Sequence, residues 1–86
     1  MYKNRSPKGL NNICGARVRE LRLAMPGRVS QRALAERLQI EGLDLDKNAV
    51  QRIESGERFV TDIELKVLAR VLDTSADWLL DGGGRA

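Results

Sequence analysis

The sequence predicts an all-α fold: one compact bundle of five short helices. Three observations carry this. No segment alternates apolar and polar residues convincingly with period two, whereas apolar residues recur at helical spacing along most of the chain. The predicted helices are bounded by residues that start or stop a helix. A chain of 86 residues leaves room for one core and no second domain.

The elements follow in order. Residues 1–12, "MYKNRSPKGLNN", read as a flexible basic arm, because Pro7, Gly9 and two asparagines oppose an early helix start. The first helix is predicted from Asn12 to Met25, with Val18, Leu21 and Met25 on one face and "PG" as its stop. Ser30 caps the second, "QRALAERLQ", whose buried stripe is Leu34, Ala35 and Leu38; Glu41-Gly42 breaks it. Asp46 caps the third and Gly56 ends it by entering the left-handed region at no steric cost. "TDIE" at 61–64 forms a capping box for the fourth, followed by Leu65, Leu68, Ala69 and Leu72. Ser75 caps a last helix, "ADWLLD", and residues 82–86 form a loose tail. The folded domain is thus expected over 13–81, with no internal repeat.

Composition removes several function classes. One cysteine and no histidine exclude a disulfide framework within the chain, a Cys/His zinc site and any catalytic histidine base. Carboxylates do not cluster on one helical face, so neither an enzyme nor a cofactor is expected. Aromatics at 3% are too few for a platform that stacks single-stranded bases. There is no membrane-length apolar run and no signal-peptide core, so a cytoplasmic location is expected. Charge is unevenly divided. Residues 1–37 hold nine Lys/Arg against two Glu, or +7; residues 38–86 hold six against ten acidic residues, or −4. Such a split suits one side facing a polyanion and another facing water, although a short chain also clusters charge by chance.

The third helix is the odd element. Between Asp46 and Gly56 only Val50 and Ile53 are available for burial, so the bundle must support it. Lys47, Asn48, Gln51 and Arg52 point elsewhere, and all can donate hydrogen bonds. A helix fits the DNA major groove, where Arg and Lys suit guanine and Asn and Gln suit adenine. A plain solvated face is the competing reading.

The run "ARVRELRLAM…VSQRALAERL…NAVQRIESGERFVTDIELKVLARVLDTSADWLL" resembles the phage repressor and Cro (XRE-like) helix-turn-helix family over about residues 13–81. "SQRALA", "IESG" and a capped "LKVLARVL" recur in the family's order. The resemblance implies a lambda-repressor-like DNA-binding domain. It implies that Lys47, Asn48 and Arg52 read base edges, with Gln51 on the same face. Gln31 would reach the DNA backbone and brace a base-reading side chain, or else serve simply as a polar first residue of its helix. Arg58 would contact phosphate, with Arg32 and Arg17 as phosphate neighbours. Arg22 and Glu54 would form a partly buried ion pair tying the first helix to the third.

Two features depart from the family. The spacing from Ala35 to Glu54 is 19 positions, so the turn is a longer loop in which Leu43 and Leu45 are expected to pack down. Ala49 stands where the family has a hydroxyl residue; it could touch a thymine methyl or act as a helix former. Elsewhere, Cys14 reads as a small apolar residue. Trp78 reads as core, alone or with a two-fold contact. Lys3, Arg5 and Lys8 read as an arm on the minor groove or backbone, or as an inert tail.

The function expected is sequence-specific double-stranded DNA binding by a small bacterial or phage transcriptional regulator, a repressor. The implied partner is a near-palindromic operator bound by a homodimer, with no membrane and no small-molecule effector. The alternative is an antitoxin or another protein-interaction module, which an exposed apolar patch around Trp78 and Leu80 would favour.

Overall fold

Five helices occur in the predicted order: α1 (Gly15–Ala24), α2 (Gln31–Ile40), α3 (Lys47–Ser55), α4 (Asp62–Val71) and α5 (Ala76–Asp81). The computed structural model describes residues 9–82, and among these there is no strand. The basic side chains Lys3, Arg5 and Lys8 lie outside the described residues.

The caps are local, and they form as the sequence predicts. Ser30 accepts from the Ala33 amide, Asp46 from Ala49 and Ser75 from Trp78. Thr61 and Glu64 close a reciprocal capping box. At the other ends, Gly56 takes φ 85° and Gly82 φ 78°. The α2–α3 connection closes similarly at Gly42, whose amide donates to Gln39 while Leu43 donates to Leu38.

α1 begins later than predicted. Asn12 is not its first residue but its clamp. Its Oδ1 accepts from the Gly15 amide at 2.8 Å, while its Nδ2 donates to the carbonyls of Ile53 (3.1 Å) and Arg58 (2.7 Å). Asn11 donates its backbone N–H to the Gly56 carbonyl and its Nδ2 to that of Glu57. The residues just before α1 are therefore tied to the end of α3, although the sequence assigned them to the arm. At the other end of α1, Met25 is extended (φ −68°, ψ 141°), as a residue before proline must be.

One core joins all five helices. Val18 of α1, Leu34 and Leu38 of α2, Val50 and Ile53 of α3, Leu68 of α4 and Leu79 of α5 are fully buried in it. α3 packs against both α1 and α2, α4 against α2 and α5, and α5 against α1. Cys14 is a buried member of the same cluster; burial pushes its thiol pKa up, which opposes thiolate chemistry. Trp78 is half-buried and packs on this core.

Arg58 pairs with Glu64 in a fork, Nη1 to Oε1 at 2.8 Å and Nη2 to Oε2 at 3.1 Å. Burial raises the Glu64 pKa, but the bonds from Arg58 and Thr61 outweigh it and leave the carboxyl below its ordinary value. A carboxylate with a depressed folded pKa adds stability above its unfolded pKa, about 4.3, and this is lost as pH falls through the folded value. Glu64→Gln is expected to cost about 1–2 kcal/mol at pH 7, with the deficit shrinking as pH drops below about 4. Urea unfolding of both proteins across pH 2–7 measures this.

Candidate nucleic-acid interface

α3 stands on the core through Val50 and Ile53 and presents the opposite face to solvent. Lys47, Asn48, Gln51 and Arg52 are all exposed. Among the described residues, none of their side chains makes a hydrogen bond or an ion pair. The structure thus brings the four predicted base-reading residues onto one unencumbered helix. Ala49 is half-buried against the core, which favours its packing role over a contact at the surface.

Behind this face sits a polar node. Arg22 is the one buried charged residue among those described. Its Nε donates to Glu54 Oε2 at 2.6 Å and its Nη2 to Oε1 at 3.0 Å, while Nη1 donates to the Val29 carbonyl at 2.9 Å. The Glu54 bond holds the guanidinium pKa above its ordinary value, against the opposing effect of burial. The pair links α1 to α3, in the positions the sequence implied. A third donor completes it: Gln31 Nε2, from the first residue of α2, reaches Glu54 Oε1 at 3.0 Å. Three helices therefore meet at one carboxylate.

The remaining basic residues divide. Arg32 is exposed on the first turn of α2, without a side-chain bond among the described residues. Arg58 is half-buried and committed to Glu64 and to the Phe59 carbonyl, so it doubles as the brace at the start of α4. Arg17, expected as a phosphate neighbour, donates from Nη1 to the carbonyls of Leu79 and Leu80, closing the end of α5. The unpaired carbonyls of a helix C-terminus attract a cation much as phosphate does, and only tertiary contacts decide between them.

The loop between α2 and α3 spans residues 41–46, against the three or four of a usual helix-turn-helix. Leu45 is buried and Leu43 half-buried, and Gln39 Nε2 donates to the Leu45 carbonyl at 2.9 Å. The longer loop is thus anchored at both leucines, and α3 still packs across α2.

A family model described as "Helix-turn-helix" matches residues 18–79, most of the chain. The chain belongs to the phage-repressor-like helix-turn-helix family. A crystal structure of the P22 c2 repressor, in complex with synthetic operator 9T in the presence of Tl+, is similar to it at a TM-score of 0.68 and 27% identity. The match covers 83% of this chain and 97% of that one. No curated protein matches. Within the helix-turn-helix, α2 and α3 are the paired helices and α3 takes the place of the groove-entering one.

The sequence reading missed the Asn11 and Asn12 clamps and the bond from Gln31 to Glu54. The asparagines carried a weak signal, since two adjacent ones before a helix read equally well as turn residues. The Gln31 bond carried none, because it spans 23 positions.

Proposed function

We propose that this chain is a sequence-specific double-stranded DNA-binding transcriptional regulator, of the repressor type, from a bacterium or phage. One observation carries the reading: α3 is rigidly seated yet holds out four unpaired donors of the types that read guanine and adenine. The P22 c2 repressor, similar over most of this chain, is bound to an operator in its crystal structure, which supports the same partner here. Lys47, Asn48, Gln51 and Arg52 read base edges. Gln31, Arg32 and the unbonded edge of Arg58 meet phosphates. The cytoplasm, where such DNA resides, is the proposed location; no helix among the described residues is long and apolar enough to cross a membrane.

The same reading has the chain bind as a homodimer to a near-palindrome, with half-sites about one helical turn apart. The rival reading, a module that only binds protein, gains little: Trp78 packs on the core and Leu80 is just 37% exposed.

Selection from a random duplex pool, followed by a salt titration of the winner, tests the proposal. The expected result is a near-palindromic motif, with log K falling by about 0.9 per phosphate contact for each decade of salt. Weak binding that varies with salt but selects no motif would overturn it.

A further inference from the structure

We propose that Glu54 is a positioning residue for the DNA contact of Gln31, separately from its ion pair with Arg22. The inference rests on the DNA-binding reading above.

The Glu54 side chain is 3% exposed and accepts three N–H bonds, two from Arg22 and one from Gln31. An ionised carboxylate can only accept. The Gln31 amide therefore has one allowed orientation: nitrogen toward Glu54, carbonyl oxygen away. Flipping it would set oxygen against oxygen. This removes the two-fold ambiguity that a terminal amide ordinarily has.

The consequence bears on binding. Gln31 Nε2 carries two hydrogens and Glu54 takes one, so the second is free to donate. Gln31 is also the first residue of α2, where Ser30 Oγ takes the Ala33 amide and the N–H groups of Gln31 and Arg32 have no intrahelical acceptor. A glutamine free to rotate would offer its oxygen to a phosphate about as often as its nitrogen, and would lose rotamer freedom on binding. Held by Glu54, it offers the donor already immobilised. Restricting one such side chain beforehand corresponds to about a 3- to 10-fold gain in affinity.

The test is a double-mutant cycle on the duplex selected by the wild-type chain, using Glu54→Gln, Gln31→Ala and the pair. Affinities are referred to the folded fraction found by thermal melting. Gln31→Ala should weaken binding about 10-fold and Glu54→Gln about 3- to 10-fold. The pair should be no weaker than Gln31→Ala alone, because Glu54 acts through Gln31. Losses that multiply would overturn the inference while leaving the DNA-binding reading intact. If the wild-type chain selects no motif, both fall.

A second measurement needs no variant. In the free wild-type protein, the one Gln31 side-chain amide proton directed at Glu54 should be shifted from the position of an exposed glutamine and protected from exchange, while its partner exchanges with solvent. Both protons at exposed-glutamine positions with equal, unprotected exchange would overturn the inference even if Glu54→Gln fails to fold.

Discussion

Gly15→Ala is expected to cost at least about 3 kcal/mol, or to prevent folding, although alanine ordinarily stabilises a helix over glycine by about 1 kcal/mol. The reversal comes from packing. Gly15 is buried at the first position of α1, and a Cβ there would fall well inside contact distance of the Ile53 carbonyl oxygen. It would also meet Asn12 Oδ1 at 3.0 Å. Neither neighbour can yield cheaply. The Ile53 carbonyl accepts from Asn12 Nδ2 and from the Gly56 amide, and Asn12 Oδ1 holds the Gly15 amide itself. Relief requires α1 to move away from α3, which opens the core around Val18 and Ile53. Gly27→Ala is the control. It carries only the strain of φ 84°, with open space around its Cβ, and should cost about 1 kcal/mol. Urea unfolding of both variants measures the contrast; equal costs would show that α1 and α3 are not in tight contact at Gly15.

Glu54→Ala is expected to cost about 3–5 kcal/mol, a fall in melting temperature on the order of 15 °C. The loss arises from what the change leaves behind. The Arg22 side chain, 9% exposed, would keep only the Val29 carbonyl as an acceptor, and Gln31 would lose its own. An unpaired guanidinium in that position is costlier than the pair is stabilising. Replacing both partners with apolar residues, as in Arg22→Met with Glu54→Leu, should therefore recover a large part of the loss. Thermal melting of the single and double variants separates the two contributions. A Glu54→Ala protein that melts like the wild type would contradict the structural role of the pair.

What was legible in the sequence was what depends on near neighbours. Ser30, Asp46, Thr61 with Glu64, and Ser75 all cap the helices predicted for them, because a cap spans three residues. The stripes Leu34–Ala35–Leu38 and Leu68–Ala69–Leu72 were legible because period 3.6 shows in the order of residues. What was not legible is the work of distant partners. Asn12 looked like a helix start, whereas it bonds residues 41 and 46 positions away. The role of Gly15 depends wholly on how close α3 comes. Asp73, with φ 57°, ends α4 where the sequence offered no glycine to mark the stop. In the candidate site, the exposed face of α3 could be read from its neighbours, since a helix with two apolar positions has to turn the rest outward. The fate of the arginines could not, apart from Arg22, whose pairing with Glu54 the family resemblance implied. Arg17, Arg32 and Arg58 carry the same charge, but respectively they close a helix end, stand in solvent, and brace a cap.

The proposed function stands or falls on whether the outer face of α3 reads bases. Its most direct test is to repeat the duplex selection with Arg52→Ala and compare the motif with that of the wild type. Arg52 is exposed and without a side-chain partner among the described residues, so its removal should leave the fold intact. The expected result is a motif relaxed at one position in each half-site, with a loss of about 1–3 kcal/mol on the wild-type duplex. An unchanged motif bound with unchanged affinity would contradict it for Arg52. The same result for Lys47, Asn48 and Gln51 in turn would mean that α3 holds its donors out for something other than DNA.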